Sequence, residues 1–122
     1  MNSSTALRIA AVFGFLAVAL GAFGAHGLKD LLEANKTTEI WHTAALYHLV
    51  HSVVLLVLAC AVRGRIPSGP YLCFAIGVVI FSGSLYALAI TNIRWLGAIT
   101  PLGGLSLIAG WLWLAIRGLP LL

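Results

Sequence analysis

Four apolar runs alternate along the chain with three short polar stretches. The runs Ile9–Ala25, Thr43–Val62, Tyr71–Ile90 and Pro101–Ile116 all come close to the roughly 20 residues that an α-helix needs to cross about 30 Å of hydrocarbon. With their flanking residues they predict transmembrane spans at 8–26, 42–62, 71–90 and 102–117. Between the first two, Leu28, Leu31 and Leu32 recur at helical spacing against Lys29, Asp30 and Glu33. That pattern predicts a short amphipathic helix on the membrane surface. Thr37 or Thr38 is placed to cap the second span, with Glu39 in its first turn and Trp41 at the interface. Arg63 to Pro70 reads as a tight polar turn rich in helix breakers, and Thr91 to Thr100 as a loop carrying Arg94 and Trp95. The predicted fold class is all-α: an integral membrane four-helix antiparallel bundle forming a single domain over 1–122.

Small residues refine this reading. In the first span Ala10, Gly14, Ala17, Gly21 and Gly24 lie at spacings of 4, 3, 4 and 3, which draws a smooth stripe down one helical face. Gly103, Ser106 and Gly110 form a second stripe in the last span. Such stripes let helices approach closely in lipid, where side-chain bulk rather than water limits packing. Arg8 before an apolar run also has the look of a secretory signal, but Ala22 to His26 makes a poor cleavage site, so the segment is expected to remain as a helix. Asn35-Lys36-Thr37 fits a glycosylation sequon, which has meaning only in a secretory pathway.

Composition agrees with lipid as the solvent. Hydrophobic residues make up 61% of the 122 positions, and seven basic plus three acidic side chains cannot cover a water-facing surface. The formal charge of +4 is scattered between apolar runs, without the basic stripe or interleaved aromatics that follow a phosphate backbone, so nucleic acid is not an expected partner. Basic residues instead bear on topology. Arg8, Arg63, Arg65 and Arg117 fall on one side and Lys29, Lys36 and Arg94 on the other, which places both termini in the cytoplasm. Cys60 and Cys73 sit in apolar segments outside any CxxC pair and read as buried small thiols at similar depth on neighbouring helices.

The second span carries a cost that the others do not, because it holds three of the four histidines: His42, His48 and His51. Consecutive spans run in opposite directions, so depths can be compared along them. His48, His51 and Ser52, together with His26, Ser82, Ser84, Tyr86 and Ser106, fall in the half of the bilayer away from Arg63. The half nearer Arg63 is mostly Val, Leu, Ala and Ile. His48 and His51 share a helical face and are expected to turn toward the bundle, since an imidazole facing lipid is unfavourable. His42 points elsewhere and belongs to the interface.

Three uses of this layer compete. The histidines hydrogen-bond to Ser82, Ser84, Tyr86 or backbone and hold the helices in one packing, each bond contributing about 0.6–2 kcal/mol. Alternatively they ligate: His26 with His48 or His51 is the cross-helix pair available for a bis-His haem or a metal. A third use is a proton or small-solute path, or a quinone-type pocket at the edge of the layer. No carboxylate lies inside any span, and a transport path would need an oligomer. The chain carries no nucleophile elbow, P-loop, HExxH or dinucleotide fingerprint, and Ser82-Gly83-Ser84 has no acid or base placed to activate it. The expectation is therefore a non-enzymatic protein that associates with a larger membrane complex or with itself, without a resident cofactor.

Several pieces resemble one known family. Gly21-Ala-Phe-Gly-Ala-His-Gly-Leu28, Trp41 with Ala45, Tyr47 and His48, Phe81-Ser-Gly-Ser-Leu-Tyr86, and Pro101-Leu-Gly-Gly104 followed by Gly110-Trp111 occur in the order found in the YgdD-like small bacterial inner-membrane proteins, a domain-of-unknown-function family. The resemblance covers nearly the whole chain. It implies four helices and an inner-membrane location, and it brings no activity, substrate or cofactor to carry over. His26, His48, Ser82, Ser84, Tyr86 and Pro101 are its motif positions.

Overall fold

The computed structural model describes residues 1–62 and 64–120. Its helices are α1 (Ser3–Ala25), α2 (Lys29–Asn35), α3 (Thr38–Ala61), α4 (Ser68–Thr91) and α5 (Thr100–Arg117), with a 3-10 turn over Arg94–Ala98 leading into α5. Four segments are long and apolar enough to cross a membrane: α1, α3, α4, and α5 together with its leading turn. The protein is an all-α membrane helical bundle, as the hydrophobic pattern predicts.

The first helix begins ahead of the predicted span. Asn2 Oδ1 accepts the Ser4 amide hydrogen at 2.7 Å, which caps α1 five residues before the predicted start at position 8. Ser3 then donates its hydroxyl to the Ala59 carbonyl at 2.8 Å, tying α1 to the end of α3. Met1 and Ile66 exchange backbone hydrogen bonds in both directions, at 3.0 and 3.1 Å. Arg63, counted in the predicted turn and charge asymmetry, lies outside the described residues.

The long helices are arranged as an open row. α1 packs on α3, α3 on α4 and α4 on α5, and among the described residues α1 and α5 do not pack against each other. The two central spans therefore bury 39% and 44% of their membrane-length windows, against 17% for each end span. The core between them centres on Leu55, Leu58, Tyr71, Phe74 and Leu107.

Small residues govern the α4–α5 seam. A Cβ added at Gly103 would overlap the backbone of Phe81, and one at Gly110 would lie 2.8 Å from the Phe74 ring. At Gly77 it would meet Leu107 at 2.6 Å, and Ser106 bridges the seam by donating to the Cys73 carbonyl at 2.8 Å. The stripe on α1 behaves differently. Ala10, Ala17 and Gly24 are buried, but Gly14 and Gly21 are only half-buried, and a Cβ at either would touch nothing. At the end of a row α1 has one close neighbour, so only part of its smooth face is covered.

α2 completes the outer end. Leu32 is fully buried beside Trp41 and Ala89, while Lys29, Asp30, Leu31 and Glu33 stay exposed. Thr37 precedes α3 but does not cap it with its side chain; the hydroxyl donates to the Ala89 carbonyl at 2.7 Å. Asn35 Nδ2 donates to Ala89 and Ile90 carbonyls at 3.1 and 3.0 Å, and Arg94 reaches the Asn35 carbonyl at 3.3 Å. Both polar side chains of the sequon are thus engaged at the C-terminus of α4, where helix carbonyls lack intrahelical partners.

Candidate functional site

The outer half of the bundle is held by a chain of polar contacts that begins at Trp41. This side chain is buried and not at the interface. Its indole Nε1–H donates to the Leu20 carbonyl on α1 at 2.9 Å, and the ring rests against Gly24, where a Cβ would overlap it. The other side of the indole packs on Tyr86 of α4 with ring centroids 4.6 Å apart. Gly24 therefore makes room for an aromatic ring, which explains why Trp41 escapes the aromatic belt expected of a residue near a helix start. Tyr86 in turn shares a hydrogen bond of 3.0 Å with His48 Nδ1. One turn deeper on α4, Ser82 donates to the Ala44 carbonyl of α3 at 2.8 Å. Ser84 faces the other way and pairs with Thr100 of α5 at 2.6 Å.

His48 and His51 are both buried, yet they serve different interfaces. Three residues of helix turn through roughly 300°, leaving the two side chains about 60° apart. His48 faces Tyr86, with Phe13 of α1 edge-on at 6.1 Å between ring centroids. His51 faces Phe74 and Trp111. Its Nδ1 donates to the Tyr47 carbonyl at 2.7 Å, and its Nε2 accepts from the Trp111 indole N–H at 3.1 Å. Those partners fix one tautomer, because a carbonyl can only accept and an indole N–H can only donate. Trp111, which spacing along the chain does not single out as a partner, joins the site because α5 brings it level with His51.

Other expected members stand apart. His26 caps α1 through its backbone, and its side chain is exposed at the outer end, so it does not join the layer or face His48 as a second axial ligand. His42 is exposed and lies 4.0 Å from Glu39 across one helical turn. Cys60 is exposed and Cys73 half-buried, both as free thiols, so the buried environment expected for Cys60 is absent: α3 turns it outward from the row. Among the described residues no three His, Cys, Asp or Glu side chains come together as a metal-holding group.

The half of the bundle nearer the Gly64–Pro67 turn is mostly apolar by composition, yet it holds a second polar cluster. Tyr71 is fully buried and donates to the Ala6 carbonyl at 2.6 Å, close to the Ser3–Ala59 and Met1–Ile66 bonds. The signal for this second polar cluster was present in Tyr71 and Ser3, which a reading focused on histidine depth passes over.

The α1–α3–α4 arrangement also leaves a cleft. α1 and α4 each pack on α3 and meet at the inner end through Tyr71 and Ala6, and farther out the space between them is a lipid-facing hollow of about 250 Å³. Its α1 wall is Val12, Phe13, Leu16 and Leu20, its α4 wall Val78, Val79, Ser82, Gly83 and Tyr86, and His48 reaches it from α3. The walls are almost wholly apolar, so the polar groups at its base are the His48–Tyr86 pair and Ser82.

Open helix row, glycine seam and buried polar ties together define a small four-span integral membrane protein. Residues 20–104 match the family described as "Protein of unknown function (DUF423)", and the chain belongs to that family. It is 43% identical over 113 residues to the UPF0382 membrane protein YwdK of Bacillus subtilis, covering 88% of this chain and 90% of that one. It is 43% identical over 114 residues to the UPF0382 inner membrane protein YgdD of Escherichia coli K12, covering 91% and 86%. A UPF0382 membrane protein of Staphylococcus epidermidis is 45% identical over 115 residues, covering 91% and 92%. No solved structure matches the chain.

Proposed function

We propose that this protein is a non-enzymatic component of the bacterial inner membrane that acts by lateral association, as an accessory subunit of a larger membrane complex or with further copies of itself. The observation that carries this reading is the open row, in which the two end helices bury only 17% of their membrane windows. The polar groups support it from the other direction. His51, Ser82, Ser84, Trp41 and Tyr71 are each taken up by bonds within the chain, so they act as ties between helices. What remains for a partner is the outer surface of α1 and α5, including Phe15, Val18, Leu105 and Ile116, all more than 60% exposed. Both termini face the cytoplasm in this reading, following the distribution of basic residues.

The test is purification from native membranes in mild detergent through a C-terminal tag. Association predicts a species larger than one chain, with either a stoichiometric partner or a defined homo-oligomer. A chain that runs alone as a monomer overturns the proposal. Reporter fusions at each end check the orientation separately.

A further inference from the structure

The two ends of the bundle differ in charge. All three carboxylate side chains, Asp30, Glu33 and Glu39, belong to α2 and the first turn of α3, at the end away from the Gly64–Pro67 turn. Arg8, Arg65 and Arg117 stand exposed at the other end, where no acidic side chain is available to them. Arg117 lies in the last turn of α5. Among the described residues its guanidinium makes no ion pair or hydrogen bond; the ion-pair contact found there is His42 with Glu39, across the membrane. Arg94, by comparison, is engaged with the Asn35 carbonyl. An arginine at the end of a span lays its stem along the apolar surface and carries its head to the level of the lipid phosphates.

Trp113 is the second, independent feature. It precedes Arg117 by four residues, so the two side chains are neighbours on one helical face. The six-membered edge of its indole is seated on Gly69 at the start of α4, where a Cβ would overlap it. That seat leaves the five-membered edge, with its Nε1–H, on the side away from Gly69. Trp41 and Trp111 give their indole hydrogens to Leu20 and His51, whereas among the described residues that of Trp113 has no acceptor. Trp113 and Arg117 together close one end of a lipid-facing groove of about 340 Å³, whose remaining walls are Ala109, Leu112 and Ile116. From Ala109 to Arg117 the helix rises about 12 Å, so the groove runs from the head-group level well into the hydrocarbon.

We propose that the end of α5 binds one anionic phospholipid, whose phosphate accepts hydrogen bonds from the Arg117 guanidinium and the Trp113 Nε1–H while an acyl chain lies along Leu112 and Ala109. Charge selects this occupant. A guanidinium presents a planar fork of donors to phosphate oxygens, and such charge-assisted bonds are stronger than neutral ones. Phosphatidylcholine brings the same phosphate with a cation attached, which an arginine without a neighbouring carboxylate disfavours. Soluble phosphate satisfies the donors but leaves the apolar walls unused. Arg8 provides an internal comparison: it tops a smaller groove of about 230 Å³ on α1 with Ile9, Val12 and Phe13, and no indole donor lines that groove. The site uses only the last turns of α5 and does not rest on lateral association.

The experiment uses the full chain, delipidated in mild detergent and titrated with dioleoylphosphatidylglycerol or dioleoylphosphatidylcholine, with bound lipids counted by native mass spectrometry. The first phosphatidylglycerol is expected to bind about tenfold more tightly than phosphatidylcholine, in keeping with one charge-assisted hydrogen bond. Arg117→Gln removes this preference, Arg117→Lys retains part of it, and Trp113→Phe reduces it severalfold without changing the charge. Arg8→Gln lowers the net charge by the same amount as Arg117→Gln and leaves the preference in place. Both arginines are exposed, so the melting temperature in lipid-free detergent is the same in all three arginine variants as in the wild type. Equal affinity for the two lipids overturns the proposal. Equal loss of preference in Arg8→Gln and Arg117→Gln also overturns it, since the charge then acts diffusely. Complete displacement of the lipid by millimolar inorganic phosphate does so as well, because the groove then contributes nothing.

Discussion

α4 has two faces of opposite character. Toward α5 it is sealed: Gly103 runs over the Phe81 backbone, Gly110 against Phe74, and Ser84 and Cys73 supply cross-helix bonds. Toward α1 it is tied at the inner end by the Tyr71–Ala6 bond and stands off farther out, leaving the cleft with His48 and Tyr86 at its base. The contrast extends to the two histidines of α3. On the sealed side His51 ties α3 to Trp111 of α5; on the open side His48 pairs with Tyr86 of α4 and lies against the Phe13 backbone of α1. Glycine thus has two separate uses on one pair of interfaces, contact in one and vacancy in the other. Gly103 and Gly110 are buried and Gly83 is exposed, and what a side chain would meet at each follows that difference.

The sharpest way to break this comparison is to add bulk to each glycine. Gly103→Leu forces the α5 and α4 backbones apart and is expected to cost about 3 kcal/mol or more, or to prevent folding, in a denaturation titration followed by helical circular dichroism. Trp41→Phe removes the indole donor to Leu20 and should cost about 0.5–2 kcal/mol in the same titration. Gly24→Ala displaces the same ring, so the double variant should be less destabilised than the sum of its parts, because the two residues share one contact. Trp111→Phe should cost roughly 0.6–1.7 kcal/mol, with the lost bond to His51 as its cause. The smallest effect has the opposite sign. Gly83→Ala should stabilise the chain by about 0.5–1 kcal/mol, since it gains helix propensity and meets open space. Destabilisation there comparable to that at Gly103 would erase the distinction between the faces.

Much of the fold was legible because lipid imposes length and period: a run such as Tyr71–Ile90 has few alternatives to a span. The grouping of His48, Ser82 and Tyr86 at one depth also followed from alternating helix direction. Rotation and lateral order were not legible. Nothing in the spacing places α1 and α5 at opposite ends of a row, and that order is why Gly14 and Gly21 stay uncovered while Gly110 does not. His51 looked like a companion of His48, but a rotation of about 60° sends it to Trp111, which lies 60 residues away in sequence. Trp41 followed the usual preference for the interface only until Gly24 on another helix offered it a seat.

The contacts of Asn35 and Thr37 with Ala89 and Ile90 carry a consequence for biogenesis. The segment between α2 and α3 is synthesised more than 50 residues before the carbonyls it binds. While α4 is still absent from the bilayer, those side chains have none of their final acceptors and the segment has no reason to hold its shape. Its ordering therefore marks the arrival of the third span, so protection of this short stretch from a protease would time that step of insertion.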